Sequence, residues 1–205
     1  NLLGAEQSGF IADIGYDTYH KILDEAIQEL KETDFKEVFA DDIVQQKTYT
    51  RECTVETDTE MLIPDEYVSS VNERLSLYTE LDNVKDENAL VAFANKLTDR
   101  FGPIPPQVNE LFEGMRLRWL ALQLGFERVT LKRGQMKCYT IDNPDSPYYE
   151  SPAFTQVLGY VTRHPNRAAM RQTPKQVIVM IEGVRNLHQA KEVLERMLAH
   201  SVAAA

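Results

Sequence analysis

The feature that most constrains this fold is the stretch running from Asp99 through Gly102, Pro103 and Pro105 to Pro106, where one helix has to stop, the chain stiffens and another helix has to start. Upstream, Leu90, Phe93, Ala94, Leu97 and Phe101 recur at the spacing of one helical face, with Asp86 placed to accept from a free N–H at its beginning. Gly102 can take the left-handed conformation that ends a helix. Pro103 cannot continue one, because it has no N–H and its ring collides with the preceding turn. Pro106, with φ already fixed near a helical value, suits the first position of the next helix, which is predicted to run through the single tryptophan, Trp119, to Leu124 and to end at Gly125. The chain therefore contains a helical pair joined by a rigid turn.

Around this pair the apolar period changes between 3.6 and 2. Cys53, Val55, Thr57, Thr59, Met61 and Ile63 alternate with Glu52, Thr54, Glu56, Asp58 and Glu60, which predicts one half-buried strand closed by Pro64. Ser70 and Glu73 have capping-box form and open a helix to about Asp82. Val129 to Leu131 and Met136 to Tyr139 flank Lys132, Arg133, Gly134 and Gln135, a hairpin signal. Ser151 followed by Pro152 starts a helix to about His164. Gln176 to Ile181 reads as a central strand, and Asn186 with Gln189 caps a last helix whose inner face is Leu187, Ala190, Val193, Leu194, Met197 and Leu198. Near the N-terminus Tyr19, Ile22, Leu23, Ala26, Ile27 and Leu30 predict another amphipathic helix, followed by a charged linker through Gln46 that carries Phe35, Val38 and Phe39. Helices and strands intermix without a βαβ rhythm. The expectation is an α+β fold, helices on a small mixed or antiparallel sheet, preceded by an N-terminal loop and helix, with 1–46 as one part and 47–200 as the other. The tail from Ser201 to Ala205 carries no signal.

Charge and missing motifs narrow the function. The 205 residues carry a formal net charge of −10. Residues 1–98 hold 8 Lys and Arg against 22 Asp and Glu, whereas 99–205 hold 14 against 10. An acidic half repels a polyanion, so DNA is not the obvious partner of this chain by itself. Two cysteines, Cys53 and Cys138, far apart and without a CxxC, read as buried small hydrophobes in a reducing, cytoplasmic setting, and no apolar run is long enough to cross a bilayer. Gly4 and Gly9 have the glycine spacing of a phosphate loop, but Phe10 stands where its lysine belongs. His20, His164, His188 and His200 show no metal-ligand spacing, and no catalytic or metal site is expected. Arg116, Arg118, Arg128, Lys132, Arg133 and Lys137 lie near Trp119, and Arg163, Arg167, Arg171 and Lys175 form a second basic run. Each is either a solvated face or a nucleic-acid contact, basic side chains seating phosphates and aromatics seating bases. The acidic stripe Glu52, Glu56, Asp58 and Glu60 is either a guard on an edge strand or a surface for a basic partner.

The opening, from Asn1 to Phe10 with Gly15, Tyr16, Tyr19 and Leu23, resembles the translocation motif of the RecG-like branch of superfamily-two DNA motors, and of its residues Gly4, Gln7 and Gly9 carry over. The continuation, Leu62-Ile63-Pro64-Asp65, then Val71-Asn72, Arg74-Leu75 and Asp99-Arg100-Phe101-Gly102, resembles the C-terminal domain of the bacterial transcription-repair coupling factors, the Mfd family. That resemblance implies an ATP-driven motor on double-stranded DNA that displaces stalled RNA polymerase and recruits UvrA, with ATP and magnesium handled in motor lobes outside this chain. It further implies that the terminal domain is non-catalytic: it packs on the N-terminal module of the same protein and masks the surface that UvrA needs. Asp99 and Arg100 resemble the stretch credited with that contact. Lys96 departs from it, standing where a relative has an acidic residue. Without the resemblance, Asp99 caps a turn and Arg100 solvates a helix end.

Overall fold

The structure is a computed structural model that describes residues 49–50 and 52–199. The expected N-terminal helix, the linker, the boundary between 46 and 47, and Gly4, Gln7 and Gly9 lie outside the described residues. The elements, in chain order, are β1 (Thr54–Thr57), α1 (Val71–Asp82), α2 (Glu87–Phe101), α3 (Pro106–Gln123), β2 (Arg128–Lys132) and β3 (Gln135–Tyr139). A short 3-10 turn (Pro147–Glu150) then precedes α4 (Pro152–Arg163), β4 (Ala168–Gln172), β5 (Val177–Glu182) and α5 (Leu187–Ala199). The fold is α+β, with a five-stranded mixed sheet in the order β1-β2-β3-β5-β4. β1 runs parallel to β2, and the remaining neighbours are antiparallel.

Helix limits follow the local chemistry. Ser70, Asp86 and Ser151 each accept a backbone N–H from the first turn of the helix they precede. Asn186 accepts from the Gln189 N–H at 2.8 Å, and the Gln189 side chain accepts from the Arg185 N–H at 2.8 Å. Gly102, at φ +92°, closes α2, and its N–H donates to the Thr98 carbonyl at 3.0 Å. The capping box at Ser70 forms only by half: the Ser70 hydroxyl accepts from the Glu73 N–H, but the Glu73 carboxylate turns to Arg100.

The described residues divide into two compact units, one of 60–114 and one of 49–59 with 115–199. In the first, Leu77, Tyr78, Leu81, Leu90, Phe93, Leu97 and Leu111 are buried, with Phe93 edge-on to Phe112 at 6.1 Å. In the second, one face of the sheet is buried through Val55, Val129, Leu131, Met136, Cys138, Val179 and Ile181, while α4 packs on β4 and α5. No helix among the described residues is long and apolar enough to cross a membrane.

Two strand expectations are corrected. The alternation from 52 to 63 yields a strand of four residues, because β1 can extend only as far as its partner does: Thr57 stands opposite Leu131, and β2 then turns into the hairpin. At that point the Asp58 N–H gives a last, long bond to the Leu131 carbonyl at 3.4 Å, and its carboxylate accepts the Arg133 N–H of the hairpin turn at 3.3 Å. Conversely the segment Ala168–Gln172, which the sequence marks only by the basic run through Arg167 and Arg171, is a strand, β4. Its side chains are mostly exposed because it is an edge, so it shows no apolar alternation.

Candidate interaction site

The Leu62–Asp65 and Val71–Leu75 segments build a frame for the end of α2. Arg74 is buried, and its guanidinium donates to the carbonyls of Val68 at 2.6 Å and Ser69 at 3.2 Å, fixing the loop before α1. The Ile63 N–H donates to the Tyr78 hydroxyl at 2.9 Å, and burial pushes that phenol above its ordinary pKa. Tyr67 then reaches the last turn of α2: its hydroxyl donates toward the Leu97 carbonyl at 3.1 Å and the Gly102 carbonyl at 2.9 Å, and its ring lies 5.8 Å from Phe101. The Gly102 carbonyl lies just past the helix, where no further helical N–H can reach it, and the Leu97 carbonyl lies in its last turns. Burial raises the Tyr67 pKa as well, so the phenol remains a donor.

On this pinned helix end the three expected site residues part company. Lys96 pairs with Glu80, Nζ lying 2.7 Å and 3.0 Å from its two oxygens, and Arg100 pairs with Glu73 at 3.0 Å. Both pairs tie α2 to α1. All four side chains stay exposed, so each pair contributes well under about 1 kcal/mol. An acidic residue at 96 would face Glu80, which gives the lysine there a local reason. The Arg100 guanidinium also lies 4.8 Å over the Phe101 ring. Asp99 is exposed and has no ion-pair or hydrogen-bond partner among the described residues. It does not cap the turn, since Gly102 does, and a carboxylate in the last turn of a helix meets the negative end of the macrodipole. Nothing local accounts for it.

The first basic neighbourhood disperses. Arg118 is buried and donates to the Cys53 carbonyl at 2.9 Å, so it holds the second unit together and is not a surface cation. Arg128, Lys132 and Lys137 share the open face of the sheet with Tyr139, around a shallow hollow of about 590 Å³. Glu56 neutralises part of it, accepting from Arg128 at 2.8 Å and 3.1 Å and from Lys132 at 3.4 Å, and chiefly the Arg128 hydrogen bond lowers the Glu56 pKa. β1 is an edge strand, and its Glu56 thus meets cations of the same chain. Cys53 and Cys138 are buried free thiols, and burial raises Cys138 well above the ordinary range. His164 stacks on Tyr160 at 4.1 Å and His188 lies 3.2 Å from Glu192 on a helix surface. Among the described residues no three His, Cys, Asp or Glu side chains gather to hold a metal ion.

Residues 57–151 match the family model of the TRCF domain. The chain is 36% identical over 128 residues to the transcription-repair-coupling factor of Escherichia coli (strain K12), covering 62% of this chain and 10% of that protein. It is 30% identical over 212 residues to that of Myxococcus xanthus, covering 98% and 15%, and 27% identical over 184 residues to that of Rickettsia conorii, covering 87% and 14%. The chain thus spans roughly a tenth to a seventh of the length of these relatives. The crystal structure of a C-terminal domain of transcription-repair coupling factor shares the fold at a TM-score of 0.59 and 14% identity, over 75% of this chain and 96% of that one.

Proposed function

Residues 57–151 of this chain are a TRCF domain, and we propose that the chain acts in coupling transcription to repair as a non-catalytic regulatory element. In this reading the end of α2 packs against another module of the same protein and covers the surface through which UvrA binds. RNA polymerase and double-stranded DNA are partners of the whole protein and not of this element, which works in the cytoplasm.

Asp99 carries the reading. It is a carboxylate held out to solvent on a rigidly framed helix end, at a position where the helix dipole disfavours it and no described partner compensates. A charge retained at a local cost suits recognition, where complementary charge orients an interface. Arg100 stands beside it, and Glu73 holds its guanidinium in place for a planar acceptor.

The test is a pull-down of UvrA by the full-length protein carrying Asp99→Ala. Retained UvrA should increase, and Glu73→Gln, which frees Arg100 without removing a charge from α2, should increase it less. Unchanged UvrA retention in the Asp99 variant would overturn the masking role. The alternative, DNA contact through the basic half, draws support from the convergence of Arg128, Lys132 and Lys137 on one face, but their pairing with Glu56 weakens it. Salt-dependent binding of duplex DNA by the chain would favour that alternative.

A further inference from the structure

The edge of the sheet at β4 offers a second surface, independent of the α2 end. Among the described residues β4 pairs only with β5. The Glu182 N–H donates to the Arg167 carbonyl at 2.9 Å and the Thr173 N–H to the Gln176 carbonyl at 2.8 Å. In an antiparallel ladder these bonded pairs alternate, so Ala169 and Arg171 also turn their backbone toward β5, and Met170 and Gln172 turn theirs outward. The Ala168 N–H is already given to the His164 carbonyl at 2.8 Å, which confines the open edge to Met170 through Gln172.

Alongside that edge lies a groove of about 480 Å³, walled by Tyr149, Phe154, Met170 and Val177. Its aromatic wall is preformed: Tyr149 and Phe154 stand edge to face at 5.1 Å, and the Tyr149 hydroxyl donates to the Ile141 carbonyl at 2.6 Å. Met170 is 36% exposed, a large apolar side chain held open beside unpaired backbone. The opposite side of β4 carries Arg171, and Arg163 and Lys175 are exposed nearby along the chain. None of these three has an ion-pair partner among the described residues. Edge backbone, an apolar slot on one side and the free cation Arg171 on the other are the complement of a strand with two different faces.

We propose that β4 is a docking edge for an extended peptide of another protein, alternating apolar and acidic residues, which adds to the sheet as a sixth strand. Its backbone bonds to Met170 and Gln172, its apolar side chains enter the Tyr149–Phe154 groove, and its carboxylates meet Arg171. A second copy of β4 fits poorly, because it brings arginine against arginine. A polynucleotide has no ladder of N–H and C=O groups to offer the edge.

The probe is a short fluorescein-labelled peptide alternating isoleucine with glutamate, titrated onto the 205-residue chain by anisotropy, with amide hydrogen exchange followed by NMR. Binding should slow exchange of the Met170 and Gln172 amides. Met170→Pro removes an outward N–H while sparing the β4–β5 ladder, and should weaken binding roughly tenfold. Arg171→Glu should reverse the preference, so that a lysine-for-glutamate peptide binds better. Absence of binding at millimolar peptide would overturn the proposal. So would unchanged exchange at Met170 and Gln172 under saturation, equal binding of a peptide with proline at its centre, or displacement of the peptide by single-stranded DNA.

Discussion

Gly125 ends α3 and turns the chain toward β2, and its replacement by alanine separates two costs that a glycine can avoid. Its φ is +76°, a conformation that costs an L side chain roughly 1–2 kcal/mol. A Cβ there would also press into the Tyr148 ring, lying 2.7 Å from Cδ2 and 2.8 Å from Cζ and closer still to Cε2. The ring cannot withdraw. It is fully buried, its hydroxyl donates to the Leu124 carbonyl at 2.6 Å, and Tyr149 and Phe154 pack on it at 5.2 Å and 5.5 Å. Overpacking of this kind adds roughly 1–3 kcal/mol, so Gly125→Ala should lose about 2–5 kcal/mol. For a chain of this size that lowers the melting temperature by roughly 4–20 °C, readable by calorimetry or circular dichroism. Two glycines serve as controls. Gly134 has a φ of +75° but nothing within 4 Å of its Cβ position, so Gly134→Ala should lose only the backbone part. Gly159, inside α4 with ordinary φ and equally open, should gain about 0.5–1 kcal/mol as alanine. In a Tyr148→Leu background the Gly125 penalty should shrink toward that of Gly134. Equal losses at 125 and 134 in the native background would refute the steric reasoning.

Arg74→Met should cost about 2–4 kcal/mol in urea unfolding, since it strands the Val68 and Ser69 carbonyls, and a loss below about 0.5 kcal/mol would mean that water replaces the guanidinium. Tyr160→Phe should leave stability unchanged or raise it by up to about 1 kcal/mol, because the buried Tyr160 hydroxyl has no partner among the described residues; a clear loss would reveal one. The Glu56 carboxyl titrates below its ordinary value of 4.5 in the folded chain, so its contribution is present above pH 4.5 and is lost as pH falls through the lower folded value. The native chain should therefore shed more stability than Glu56→Gln on acidification below about pH 4.5, by a small margin because the pair is exposed, and parallel acid-unfolding curves would contradict this.

Helix ends were legible because their signals are local. Ser70, Asp86, Ser151 and Asn186 cap as their spacing implies, and Gly102 and Gly125 adopt the positive φ that their positions suggest. What depended on distant partners was not legible. The alternation through Ile63 contains no trace of where β2 ends, and β4 hides because an edge strand with exposed arginine has no apolar period. Arg74 and Arg118 look like surface charges until the fold supplies the carbonyls they satisfy. At the candidate site the segment was visible, but its division was not: Glu73 lies 27 positions from Arg100 and Glu80 16 from Lys96, so only the three-dimensional pairing leaves Asp99 alone as the unmatched charge.

β1 and β2 are hydrogen-bonded parallel neighbours, yet everything from Asp58 to Glu127 separates them along the chain. On a translating ribosome β1 emerges first and has no ladder to join until both α1–α2 and all of α3 have been made. The β2–β3 hairpin, whose closure is short-range, forms without it, and β1 arrives as a late addition that spans a long loop. A growing chain halted within α3 would therefore expose Val55 and its neighbours as an unclaimed strand, a state that chaperones recognise and that aggregation exploits.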